Sequence, residues 1–226
     1  MGERPLILVE AAVETLEAAL AAERAGADRI ELCVNLDDGG TTPSTGVSAA
    51  VIDATKLPVF VLIRPRAGDF VYSDEEIDLM IREVETAVII GVAGIVTGAL
   101  RSDHTVDVVQ TRALVEAAAG LPVTFHRAFD STINGSDALE QLIDLGVTRV
   151  LTSAGAATAL EGADVIAALV NQARDRISIV AGGGIREHNV SDVIRRTGAS
   201  EVHTRFVGEA RMRDLIEIAK RTPKRR

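Results

Sequence analysis

The chain has 226 residues, 47% of them hydrophobic but only 3% aromatic, with no tryptophan, so a single large core has to be built from Val, Ile, Leu and Ala. No Ser/Pro-rich linker or shift of composition divides it into two domains. The formal net charge of -9 offers no basic stripe to a nucleic acid, and the basic run from Lys220 to Arg226 reads as a solvated helix end.

The elements follow in chain order. A strand is predicted over residues 6–10 and an Ala-rich helix over 13–25, stopped by Gly26. A second strand, 28–33, leads through the loop Asp37-Asp38-Gly39-Gly40-Thr41-Thr42-Pro43-Ser44 to a short helix from residue 48. Pro58 opens a third strand, which runs to residue 64. Ser73 with Glu76 three residues later forms a capping box, which starts a long helix ending near Gly91. Strand four covers 94–97, helix four 107–119, and Pro122 opens strand five. Then come a helix over 134–145, a strand over 149–152, a helix over 161–173, a strand over 177–181, a helix over 189–197, a strand over 201–203 and a last helix over 211–221. Strands alternating with helices imply βαβ units and a parallel sheet. Eight such units favour a closed (β/α)₈ TIM-type barrel in one domain over an open doubly wound sheet. Glu10-Ala11-Ala12 after the first strand cannot serve as a dinucleotide-binding glycine turn.

A parallel barrel gathers its strand ends at one face, where such folds do chemistry. Side chains alternate along a strand. If the last polar residue of each strand points inward, the mouth holds Glu10, Glu31, Arg64, His126, Thr152 and His203. A lone charge at a strand end is usually loop edge. Several acids, an Arg and two His at matching positions on different strands instead suggest a site for a small anionic ligand, since unpaired charge in a lumen is costly. Glu10, Glu31, Arg64, His126 and His203 are the catalytic candidates, with His126 or a carboxylate as general base. Arg66 and Asp69 on the third loop, Arg127 and Asp130 on the fifth, Thr152, and Gly183 and Gly184 after strand seven are the ligand-binding candidates. Arg forks suit carboxylate or phosphate, and barrels bind phosphate after strands seven and eight. A tight turn alone would also explain the triple glycine. No lysine stands at a predicted strand end, so no Schiff base is expected. His104 reads as an exposed loop residue and His188 as part of a helix start.

The chain contains no CxxC, HxH or HExxH metal motif. The soft ligands are Cys33, Met1, Met80 and Met212, and the two helical methionines read as core filler. Cys33 either faces inward beside Glu31 or is a buried structural thiol. It allows no intrachain disulfide. No apolar run reaches the ~18 residues of a membrane span, and the start Met1-Gly2-Glu3-Arg4-Pro5 lacks a signal-peptide pattern. A cytoplasmic protein, with no membrane partner, is expected.

Several stretches together resemble the CutC family. They are Gly26-Ala27-Asp28-Arg29-Ile30-Glu31-Leu32-Cys33, Gly39-Gly40-Thr41-Thr42-Pro43-Ser44, Ile63-Arg64-Pro65-Arg66-Ala67-Gly68-Asp69-Phe70, Thr124-Phe125-His126-Arg127-Ala128-Phe129-Asp130, Leu151-Thr152-Ser153 and Gly182-Gly183-Gly184-Ile185. The resemblance implies a TIM-like barrel, a cytoplasmic homo-oligomer (dimer or tetramer) and a role in copper homeostasis, with Cu(I) at Cys33. With one cysteine, a two-thiolate site within one chain is excluded. The family carries no settled reaction, so no catalytic role comes with it. An enzyme of lyase, isomerase or hydrolase type acting on a phosphorylated or otherwise anionic metabolite is the alternative. The chain departs from the family pattern at His104 and Ala154, where glycine is expected, and at Thr204-Arg205, which adds a positive charge near the mouth.

Overall fold

The computed structural model describes residues 7–223. Met1, the strand start at Leu6 and the end of the basic tail lie outside them. Eight parallel strands close into a barrel in chain order, and the first pairs with the last. They are β1 (Leu8–Val13), β2 (Arg29–Leu32), β3 (Val59–Leu62), β4 (Gly94–Thr97), β5 (Val123–Phe125), β6 (Arg149–Thr152), β7 (Ser178–Gly182) and β8 (Glu201–Arg205). The helices that follow them are α1 (Leu16–Ala25), α2 (Thr45–Ala54), α3 (Asp74–Ile89), α4 (Val108–Ala117), α5 (Gly135–Asp144), α6 (Ala163–Ala173), α7 (Val190–Thr197) and α8 (Glu209–Arg221). Short 3₁₀ turns at Leu36–Asp38 and Arg127–Ser131 interrupt the second and fifth loops.

The expected boundaries shift where local chemistry overrides the pattern. β1 runs three residues past Glu10, because Ala11, Ala12 and Val13 pair with Ile30, Glu31 and Leu32. Glu10 is therefore mid-strand. The side chain of Thr15 caps α1, and that of Ser44 caps α2 three residues ahead of its expected start. The capping box at Ser73 and Glu76 is formed. β8 continues to Arg205, which pairs with Ala12.

Strand residues pointing outward form the main core with the helices. Val9, Ile30, Val61, Ile95, Phe125, Val150, Ile179 and Val202 meet Ala22, Met80, Val84, Leu114, Leu139, Ile166, Ile194 and Leu215. Each fully buried Val, Leu, Ile, Met or Phe among them contributes about 1.5–3 kcal/mol. Inside the barrel the filling differs. A small apolar cluster of Cys33, Phe60, Leu62 and Val96 lies on one side. Arg29 and Arg149 place their guanidinium carbons 5.0 and 4.2 Å from the centroid of the Phe60 ring, a cation–π arrangement that lets two arginines enter a lumen. Phe60 reaches across to Gly94, where a Cβ would lie 2.3 Å from the ring.

Candidate functional site

Register decides which polar residues meet. Glu10 lies opposite Arg29 on β2 and His203 on β8, and Gly182 lies opposite His203. A buried charge network results. Arg29 donates from Nε to Glu10 and from Nη2 to Glu201 at 2.6 Å. Ser178 Oγ donates to Glu201 at 2.6 Å. His203 Nδ1 stands 2.7 Å from Glu10 Oε1 and 3.9 Å from Glu31 Oε2. Burial would raise the Glu10 carboxyl, but Arg29 and His203 override it and hold it down at about 2. For Glu31 burial wins: with Glu10 adding to it, the carboxyl is pushed up to about 7. Burial opposes a charge on His203, yet Glu31 and Glu10 raise its pKa above the ordinary value.

A second wall faces this network. Arg64 follows β3, and its guanidinium is spread over backbone carbonyls: Nη1 donates to Asp38 O (3.1 Å) and Gly40 O (2.8 Å), and Nη2 to Gly68 O (2.9 Å). It forms no salt bridge among the described residues. His126 follows β5, and its Nδ1 accepts the Ala128 N–H at 3.2 Å. Burial, and then the nearby Arg64 charge, lower the His126 pKa to about 3. The ring is therefore a neutral imidazole with its acceptor nitrogen occupied, which removes it as the general base expected from sequence. Gly98 makes room for it: a Cβ there would lie 2.8 Å from Nδ1.

Between the two walls lies a cavity of about 430 Å³ at the C-terminal ends of the strands. Glu31, Arg64, His126, Arg127, Asp130, Gly183, Gly184 and His203 of the predicted set line it. Glu10 reaches it only through His203. Arg127 and Asp130 pair with each other at 2.7 Å, and Arg127 also donates to Ser153 Oγ at 2.8 Å. Gly183 turns at φ 110°, and a Cβ on it would press on Ser153 at 3.1 Å.

Three expectations are corrected. Thr152 does not face the lumen. β6 pairs Arg149 with Thr124, so Arg149 and Leu151 point inward while Val150 and Thr152 point out. Thr152 instead donates its hydroxyl to Asp130, which also accepts the Ser153 N–H at 3.0 Å. Arg66 and Asp69 stay outside the cavity, because they pair with each other at 3.0 Å and Arg66 with Glu76 at 2.6 Å. Arg29, Arg149 and Arg186 were missed. The first two sit at strand starts, where polar residues read as loop edge, although their parity with Glu31 and Leu151 was available. Arg186, bonded to Ile185 O and Thr204 Oγ1, had no sequence signal.

Two metal readings meet different obstacles. One oxygen each of Glu10 and Glu31 and one nitrogen of His203 lie within 4.8 Å of one another. Two hard carboxylates and one borderline imidazole, with no thiolate or thioether, suit Cu(I) poorly, and Arg29 already supplies the positive charge. Cys33 is fully buried, its Sγ 3.7 Å from Val13 O, and burial followed by the Glu31 charge pushes its thiol up. Met80 and Met212 belong to the outer core, on the other side of the sheet. Among the described residues, Cys33 therefore has no soft partner for Cu(I).

Fold and site define a (β/α)₈ barrel with a charged cavity where barrel enzymes place their chemistry. The chain belongs to the CutC family, whose model matches residues 7–208. A CutC family protein of Xanthomonas axonopodis pv. citri (strain 306) is 49% identical over 195 residues, covering 86% of this chain and 81% of its own. The copper homeostasis protein cutC homolog of Homo sapiens is 47% identical over 196 residues, covering 87% and 72%. The solved CutC of Streptococcus agalactiae superposes with a TM-score of 0.84 at 36% identity, covering 88% of this chain and 98% of its own. Phosphoribosylanthranilate isomerase of Thermotoga maritima, at 15% identity and a TM-score of 0.63, shares the fold. No described helix is long and apolar enough to cross a membrane.

Proposed function

We propose that this CutC-family barrel is an enzyme acting on a small anionic metabolite held in the mouth cavity. One observation carries the reading. Glu31 Oε2, Arg64 Nε and His126 Nε2 are buried without a hydrogen-bond partner, and all three belong to residues lining the same cavity. An unpartnered buried polar atom costs about 1–3 kcal/mol, and a bound molecule that meets all three would recover it. The charge of the lining favours an anion: Arg64 and Arg186 have no carboxylate partner among the described residues, while Arg127 is paired with Asp130 and Arg205 with Asp37.

A thermal-shift screen of sugar phosphates and organic acids tests this. A ligand at 100 times its Kd adds about 2.7 kcal/mol, a Tm rise of about 5–10 °C for a domain of this size. The rise is expected for at least one anion and should be lost in Arg64→Lys, which keeps the charge but loses the Nε donor together with the guanidinium's hold on the Asp38, Gly40 and Gly68 carbonyls. If no anion stabilises the fold, the reading fails.

The copper names of the relatives support a second reading, with Cu(I) carried at Cys33 by a cytoplasmic homo-oligomer. It requires a second soft ligand from outside the described residues. Titration with Cu(I) against a competing chelator tests it, and an affinity unchanged in Cys33→Ser would count against it.

A further inference from the structure

The three unpartnered atoms are not equivalent, and their chemistry narrows the reaction. Two are N–H donors on one wall. Arg64 spends its terminal nitrogens on three carbonyls, which leaves Nε–H free. His126 spends Nδ1 on the Ala128 N–H, which puts the proton of the neutral ring on Nε2. Both groups lie 5.0 Å from the centroid of the Phe70 ring, one as a cation–π contact and one as a tilted ring pair, so both pack against the same side chain. The third atom is an acceptor: Glu31 Oε2 is backed by the His203–Glu10 pair.

Resting on the enzyme reading above, we propose that the substrate is an anionic carbonyl compound with a C–H next to the carbonyl. Its carbonyl oxygen accepts from Arg64 Nε–H and His126 Nε2–H, and Glu31 removes the neighbouring proton. In that step an O–H bond forms on Glu31 as the C–H bond breaks. The freed pair becomes a C=C bond, and the carbonyl π pair moves onto the oxygen, giving an enolate held by the two donors. Return of the proton to the same carbon restores the substrate; its delivery to the former carbonyl carbon, with the α-hydroxyl proton passing to the former carbonyl oxygen, isomerises an α-hydroxy carbonyl. No oxidant or reductant is consumed. A neutral imidazole and an arginine without a carboxylate partner suit an oxygen that gains charge during reaction, because the donors are already aimed and need no reorganisation. Glu31, buried beside the His203–Glu10 pair with Oε2 unpartnered, is the group placed to take and return the proton.

The test follows exchange of substrate C–H for deuterium by proton NMR in D₂O, using dihydroxyacetone phosphate, glycolaldehyde phosphate, ribose 5-phosphate and pyruvate. At least one compound should exchange in the presence of the protein. Glu31→Gln should slow exchange about 100-fold or more, and His126→Gln should slow it by about 100-fold, with folding of each variant verified by its unfolding midpoint. A compound that raises Tm but does not exchange overturns this inference and leaves the anion reading standing. A panel that neither binds nor exchanges overturns both, and so does full exchange activity in Glu31→Gln for the assignment of the base. Nitrogen-15 NMR of the histidines gives a readout independent of substrate. His126 should hold its proton on Nε2 and show no titration from pH 5 to 9. A His126 imidazolium forming near pH 6.5 overturns the donor role.

Discussion

Glu31→Gln is the most informative single substitution, because stability and function should move in opposite directions. Burial lifts the Glu31 carboxyl from its ordinary 4.5 to about 7. The folded protein thus favours the protonated form more than the unfolded chain does. The stability this provides is fully present below pH 4.5 and is lost as pH rises through 7. The shift corresponds to about 3 kcal/mol. Glutamine keeps the shape and the neutrality of the protonated acid at every pH, but His203 loses one of its two carboxylate neighbours. Allowing for that loss, Glu31→Gln should be more stable than the parent by about 2 kcal/mol at pH 8.5 and equal to it below pH 5. Urea unfolding at a series of pH values measures the difference directly. A variant that tracks the parent at every pH, or is less stable at pH 8.5, would show that Glu31 is not the desolvated acid described here. A gain in stability would mean the glutamate is kept for something other than folding.

Other substitutions separate structure from site. Arg29→Met leaves Glu10 and Glu201 without their guanidinium and should cost about 3–5 kcal/mol in urea unfolding. Gly98→Ala places a methyl group 2.8 Å from His126 Nδ1. It should cost about 1–3 kcal/mol and abolish the anion-induced rise in Tm. Ala154 and His104 both hold left-handed backbone, at φ 58° and 61°. Ala154→Gly and His104→Gly should each stabilise by about 1 kcal/mol, seen as a Tm rise of about 2–4 °C with ligand binding unchanged.

Much of this architecture was legible because a parallel barrel writes itself into sequence as eight buried apolar runs. β4 and β6 fall on their expected residues, as does the capping box that starts α3. The family pattern also located strain: glycine was expected at positions 104 and 154, and both turn out to need positive φ. The lumen was harder to read. Taking the last polar residue of each strand as inward gives Glu31, Arg64, His126 and His203 their places, since these share parity with the residues their neighbours face. The same rule fails at Thr152, because the register of β6 against β5 is fixed by Thr124 meeting Arg149, two strands' worth of information that no single strand carries. Arg29 and Arg149 were hidden for a related reason: only the aromatic ring of Phe60, from β3, makes their burial tolerable. The neutral state of His126 depends on the Ala128 N–H folding back onto Nδ1 in a 3₁₀ turn, which strand periodicity does not encode.

The claim that a bound molecule completes the three unpartnered groups is tested most directly by a crystal structure of the protein soaked with the anion that raises Tm most. The ligand should lie in the mouth cavity within hydrogen-bond distance of Arg64 Nε, His126 Nε2 and Glu31. Density for that anion elsewhere on the barrel, with the three groups still unpartnered, would contradict the account.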